Sequence, residues 1–191
     1  MPMILSCKEI LKEAKQGNIV HATNNIRFNS LFVNCKNQSV DIHLYKEIYS
    51  VTKRKWINLE ESDYISEPGE FILASTEEFI GTTANSCIHP QWHLRSTLAR
   101  MGLFHPKAGW GDVGFFNRWC MEFTSAVRFT YTYNMRVGQI SFMYTQPWYK
   151  RLFYLSAGYV SQTGNYQSST DLNELRANWK KEDILPKTYN T

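Results

Sequence analysis

Several familiar signatures are missing from this 191-residue chain, and each absence removes a class of function. Its four cysteines, Cys7, Cys35, Cys87 and Cys120, are scattered with no C-x-x-C pair, so no redox dithiol or zinc ribbon is written here. No apolar run is long enough to span a bilayer, and no signal-peptide pattern opens the sequence. Lys and Arg never gather into a long block, and a net charge of +4 suits a small anionic ligand better than a nucleic acid. There is no internal repeat and no low-complexity tract. The expectation is a cytoplasmic protein with reduced thiols and with neither membrane nor nucleic acid as partner.

What is present reads as sheet. Aromatics make up 15% of the residues and are spread along the chain, which favours strands over a helical bundle. The length fits one domain with a sizeable core, residues 1–191, divided into a body at 1–144 and a C-terminal tail at 145–191. Residues 3–17 read as a helix: Ser6 and Glu9 have capping-box spacing, and Leu5 and Ile10 have staple spacing. From Ile19 onward come short apolar runs at spacings near ten residues, among them Val40–Leu44, Ile48–Val51, Trp56–Leu59 and Phe71–Ala74. Such a text predicts a β-barrel or jelly-roll-like sandwich. Residues 91–103 read as one short helix, with Leu94 and Leu98, and Ala99 and Leu103, as i, i+4 neighbours. Phe115–Phe123 reads as one strand, with Trp119, Met121 and Phe123 on one face and Cys120 and Glu122 on the other. Leu172, Leu175 and Trp179 form a helical stripe that docks the C-terminal segment on the body or on a neighbouring subunit.

Chemistry concentrates between Leu94 and Phe123. Cys87, His89 and His93 lie close together, yet there is no H-E-x-x-H and no second pair at zinc-finger spacing. The H-x-E … P-C-x-x-C signature of zinc nucleobase deaminases is missing as well. So are the Walker and Rossmann glycine patterns. Arg95-Ser96-Thr97 at a helix start offers guanidinium forks, hydroxyls and backbone N–H groups, the means of holding phosphate. Glu122 is a single acid among aromatic neighbours, where burial raises a carboxyl toward the range of an acid–base catalyst.

Three blocks then align with one family. Glu67-Pro68-Gly69-Glu70-Phe71-Ile72-Leu73-Ala74-Ser75-Thr76, Arg95-Ser96-Thr97-Leu98-Ala99-Arg100-Met101-Gly102-Leu103, and Ala108-Gly109-Trp110-Gly111-Asp112-Val113-Gly114-Phe115 with Met121-Glu122-Phe123 resemble the dCTP deaminases, relatives of dUTPase. Met3–Ser6, Ser39-Val40-Asp41 and Val137–Phe142 resemble further segments of that family, in the right order over about residues 3–165. The resemblance implies a mainly β fold: a distorted barrel of the dUTPase type with a short N-terminal helix and a helix at the active site. It implies a homotrimer with sites between subunits, binding dCTP and dUTP.

The implied activity is zinc-independent hydrolysis of dCTP to dUTP and ammonia, with magnesium carried on the triphosphate. In this reading Glu122 shuttles protons, Ser96 helps to position the water, and Arg100 orients the glutamate. By the same resemblance Arg95 and Thr97 hold phosphate, and Ala108 offers its carbonyl to the cytosine amino group. Trp110 belongs to the nucleotide-binding block, and Asp112 lies near the deoxyribose. Tyr159 and Gln162, with Gly164, resemble a tail motif that closes over the triphosphate. The reading ranked first releases dUTP for thymidylate synthesis. A bifunctional enzyme that continues to dUMP stands second, favoured by Ala108-Gly109-Trp110, and a silent nucleotide-binding module third. Departures from the family pattern are Leu94, Thr97, Gly158 at the usual tail lysine, and the segment with Gly111, Asn117, Arg118 and Trp119. Lys150 or Arg151 could stand in for the tail lysine.

Overall fold

The computed structural model describes residues 3–106, 108–145 and 167–187. In chain order the elements begin β1 (Met3–Ile4), α1 (Cys7–Lys15), β2 (Ile19–Ala22), α2 (Leu31–Asn34), β3 (Cys35–Lys36) and β4 (Ser39–His43). They continue β5 (Glu47–Ser50), β6 (Lys55–Asn58), β7 (Tyr64–Ser66), β8 (Ile72–Ser75), β9 (Phe79–Thr82) and β10 (Ile88–Leu94). Then follow α3 (Ser96–Arg100), β11 (Leu103–Phe104), β12 (Phe116–Asn117), β13 (Cys120–Ser125), β14 (Phe129–Tyr131), β15 (Arg136–Tyr144) and α4 (Leu172–Asn178).

Among the described residues the strands form four antiparallel sheets that share one interior. β15 is the spine of the first, pairing with β10 along one edge and with β4 and β1 along the other. The second runs β11-β13-β8-β5-β6, the third β12-β9-β2, and β14 pairs with β7. Ile42, Ile72, Phe123 and Phe142 are fully buried where the sheets meet. Each such side chain stabilises the fold by about 1.5–3 kcal/mol relative to exposure. The architecture is mainly β, as the short apolar runs require.

α1 starts where the sequence says it should. Ser6 Oγ accepts the Glu9 N–H at 3.4 Å, and Glu9 Oε2 accepts the Ser6 N–H at 2.7 Å. Leu5 and Ile10 are both fully buried, and Met3–Ile4 lie outside the helix, paired with Met143 and Tyr144. At the other end, Asp171 caps α4 by accepting the Asn173 and Glu174 N–H groups at 2.7 and 3.1 Å. Leu175 is buried against Phe79 and Phe116, with Leu172 and Trp179 packed beside it. The C-terminal stripe therefore docks on its own chain's body.

Two expected elements are corrected. Residues 91–103 are not one helix: Gln91 to Leu94 belong to β10, and the helix is confined to Ser96–Arg100. β10 is zipped to β15 from Ile88 opposite Tyr144 to Leu94 opposite Gly138, and this ladder outweighs local helical spacing. Phe115–Phe123 is not one strand either. Phe116–Asn117 pair with β9, Cys120–Phe123 pair with β8, and the chain crosses between two sheets at Arg118–Trp119. Among the described residues, no helix is long and apolar enough to cross a membrane.

Candidate active site

Glu122 owes its position to period two. Along β13, Met121 and Phe123 point into the core at 0% exposure, so Glu122, opposite Leu73 of β8, turns the other way into a cleft of about 770 Å³. Its Oε2 is buried without a hydrogen-bond partner among the described residues. Burial pushes the carboxyl above its ordinary value, opposed only by its own backbone N–H. The nearest base is His105, whose Nδ1 lies 3.7 Å from Oε2 but donates to the Glu122 carbonyl at 3.1 Å. Burial lowers the His105 pKa, so the ring is neutral near pH 7 and cannot balance a Glu122 carboxylate. The cleft therefore holds a carboxyl whose protonated form is favoured more than that of an exposed glutamate.

Ala108, Trp110 and Asp112 line the same cleft, on a loop drawn tightly over β10. Gly109 accepts the Trp92 N–H at 2.8 Å, and a Cβ on it would lie 2.4 Å from the Trp92 carbonyl oxygen. Only glycine permits that approach. Gly111 answers a second constraint: a Cβ there would meet Cη2 of Trp119 at 2.3 Å. The indole cannot step aside, because its Nε1–H donates to the Ile80 carbonyl at 2.8 Å and its ring packs edge-on against Phe115. Trp110 is 70% exposed and packs its inner side on His89, with ring centroids 3.8 Å apart and the planes tilted by 39°. Asp112 is exposed.

The arginine arm lies elsewhere on the chain. Arg95 caps α3, and its N–H donates to the Val137 carbonyl at 3.1 Å. Leu98 is buried and pins the helix, which leaves Ser96, Thr97 and Arg100 exposed. None of Arg95, Ser96, Thr97 or Arg100 lines the cleft that holds Glu122. One chain thus brings together Glu122, Ala108, Trp110 and Asp112, and separately presents Arg95, Ser96, Thr97 and Arg100. Tyr159 and Gln162 lie outside the described residues, as do Lys150, Arg151 and Gly158.

The remaining polar candidates have separate partners. His93 Nε2 is 3.0 Å from Ser141 Oγ, His89 packs against Trp110, and the Cys87 carbonyl accepts the Thr145 N–H at 2.9 Å. Among the described residues no group of three or more His, Cys, Asp or Glu is arranged to hold a metal ion. Sequence reasoning passed over His105, which follows β11 with no motif around it. It also passed over the part that Trp179, Asp183, Ile184 and Pro186 take in lining the cleft. The helical stripe ending at Trp179 was the one available signal, and it spoke only of packing.

Comparison with known proteins supports one family. A family model described as dCTP deaminase-like matches residues 4–145. The chain is 33% identical over 129 residues to a dUMP-forming dCTP deaminase of Clostridium beijerinckii, covering 63% of this chain and 70% of that one. It is 34% identical over 150 residues to a dUMP-forming dCTP deaminase of Hydrogenobaculum sp., covering 73% and 81%. The fold is similar to the crystal structure of the 2′-deoxycytidine 5′-triphosphate deaminase from Agrobacterium tumefaciens, with a TM-score of 0.61 and 13% identity. That likeness covers 82% of this chain and 53% of the other, so this chain spans about half the length of that deaminase.

Proposed function

The chain belongs to the dCTP deaminase-like family, and from that premise we propose that it converts dCTP and two waters to dUMP, ammonia and pyrophosphate. The observation that carries the reading is Glu122, a carboxyl raised by burial and facing the same cleft as Ala108 and Asp112. Release of dUTP, ranked first on the sequence alone, gives way to the dUMP-forming reaction named for the relatives at 33% and 34% identity.

In the first step, water adds to C4 of cytosine while ionised Glu122 takes its proton. The proton passes to N3, Glu122 then carries the proton of the C4 hydroxyl to the amino group, and the C4–N bond breaks to release ammonia and leave the C4 carbonyl. One carboxyl serves throughout because its pKa lies closer to neutrality than an exposed glutamate's. In the second step, water activated near Asp112 attacks the α-phosphorus, and the P–O bond to pyrophosphate breaks. Magnesium arrives with the triphosphate, whose hard oxygens suit it.

Separation of the arginine arm from the cleft supports a homotrimer in which Arg95 and Thr97 of one protomer hold phosphate at a neighbour's cleft. Ser96 then positions the water and Arg100 faces the neighbour's glutamate. Ser96, Thr97 and Arg100 are exposed and Arg95 is half-buried, which leaves the arm open to a neighbouring protomer. Two protomers inactivated separately, by Arg100→Ala and by Glu122→Gln, should regain activity when unfolded and refolded together, because some clefts then combine two intact halves.

The test of the reaction follows ammonia and pyrophosphate separately from dCTP. Equal release of both supports the dUMP-forming reading. Ammonia without pyrophosphate identifies a deaminase that stops at dUTP. Tight dCTP binding with neither product overturns the enzyme reading in favour of a nucleotide-binding module.

A further inference from the structure

Arg118 is a charged side chain placed in the interior beside the cleft, and the reaction described above gives it no role. It is 7% exposed, and its guanidinium donates to the Thr76 carbonyl at 2.7 Å and approaches Glu77 at 3.6 Å. Three aromatic rings surround it: Tyr45 at 3.9 Å, Phe79 at 4.9 Å and Trp179 at 4.9 Å. Tyr45 and Phe79 belong to the barrel, whereas Trp179 belongs to the C-terminal segment, at the end of α4. The guanidinium is therefore one fastener between the two. Desolvated cation–π contacts of this kind contribute several times what exposed ones do.

The fastened segment is bonded at several points along its length. The Gln167 side chain accepts the Phe116 N–H at 2.8 Å and donates to the Gly114 carbonyl at 3.3 Å. Lys181 pairs with Glu47 at 2.8 Å, and the Cys120 thiol donates to the Ile184 carbonyl at 3.5 Å. Beyond Trp179 the chain runs past the cleft, and Asp183, Ile184 and Pro186 form one of its walls. Residues 108–112 provide another, and β13 with Glu122 provides the floor.

Resting on the reading of Glu122 as the acid–base group, we propose that Arg118 is a positioning residue. By clamping Trp179 it holds residues 179–186 as a fixed wall that keeps bulk water off the floor of the cleft. Glu122 is then enclosed by its own chain, while the phosphate-holding arm is supplied separately. The titratable and charged groups around the cleft are His105 after β11, Asp112 on the glycine loop, Asp183 on the wall, and Arg118 and Cys120 beside the floor. Opening the wall admits water, which relieves the desolvation of Glu122, favours its ionised form and moves its titration to lower pH.

Arg118→Met would also strand Glu77 in the interior, so Trp179→Ala is the cleaner break, with Trp179→Phe as the conservative partner. The full-length proteins are compared by ¹³C NMR titration of the Glu122 carboxyl, which needs no turnover, and by the pH dependence of ammonia release from dCTP. Trp179→Ala should move the carboxyl titration and the acid limb of the rate profile to lower pH. It should also lower kcat/KM about 10- to 100-fold, through a misplaced wall. Trp179→Phe, which keeps a ring under the guanidinium, should stay near wild type. If Trp179→Ala does not fold, Lys181→Ala releases the wall at its surface end and should shift the titration in the same direction. A folded variant whose Glu122 titrates as in wild type overturns the proposal. A downward shift in a protein that never releases ammonia supports the clamp and overturns the deaminase reading, so the two failures are distinguishable.

Discussion

Glu70 and Glu122 are the same side chain in two neighbouring regions of one barrel, and burial would raise the pKa of both. At Glu70 that pressure is overruled. Lys53 at 2.8 Å, Ser50, Tyr64 at 2.6 Å and the Glu67 N–H at 3.1 Å all donate to the carboxylate, which is held down at about 2. At Glu122 the pressure is almost unanswered: Oε2 has no hydrogen-bond partner among the described residues, and the nearest imidazole is neutral and turned to a backbone carbonyl. A carboxylate with four donors is a permanent anion that ties strands together. A carboxyl with an idle oxygen facing a cleft is available for chemistry. The donors make the difference, since the Glu70 side chain is the less solvent-exposed of the two, at 2% against 25%.

The sharpest way to break the comparison is Glu122→Gln, which keeps the shape of the side chain and removes the titrating proton. Ammonia release should fall by about 10²–10⁴-fold while dCTP binding and the urea midpoint stay near wild type. Turnover close to wild type would remove Glu122 from the chemistry.

Glu70→Gln should do the reverse, leaving the chemistry largely intact and destabilising the fold by about 1–3 kcal/mol, as buried donors lose a charged acceptor. The sign of its pH dependence follows from the depressed pKa. The stability that Glu70 contributes is fully present above about 4.5 and is lost as pH falls toward about 2. Urea midpoints of wild type and Glu70→Gln should therefore converge as pH drops through that window. Parallel curves would show that the four donors do not act through ionisation.

A smaller effect is expected at Gly111, because the wall beside Glu122 is set there by packing. Gly111→Ile drives a side chain into the locked Trp119 indole and should cost about 1–3 kcal/mol. Adding Trp119→Leu should recover much of that loss. If the double variant is no more stable than the sum of the singles, the two positions are not packing partners.

Much of this contrast was legible in the sequence where the cause is local. Alternation of Met121, Glu122 and Phe123 placed the acid on the face opposite the core, and Ser6 with Glu9 marked the start of the first helix. The strand at Gln91–Leu94 was not legible, because its partner β15 lies some 45 residues further on and Leu94 and Leu98 also fit a helix. The break at Arg118–Trp119 was hidden for the same reason: one apolar run serves two sheets. Glu70 was visible only as part of a Glu67-Pro68-Gly69-Glu70 turn, since its donors come from Ser50, Lys53 and Tyr64. Arg118 and Trp179 belong to the cleft, and His105 lies beside Glu122, through contacts between distant segments, which no local spacing encodes.

The most direct measurement is a ¹³C NMR titration of the glutamate carboxyls in the wild-type protein, with Glu70 and Glu122 assigned by their Gln variants. Glu122 should titrate above 4.5 and Glu70 near about 2. Finding both near 4.5, or Glu122 below it, would contradict the account of Glu122 as the acid–base group of the cleft.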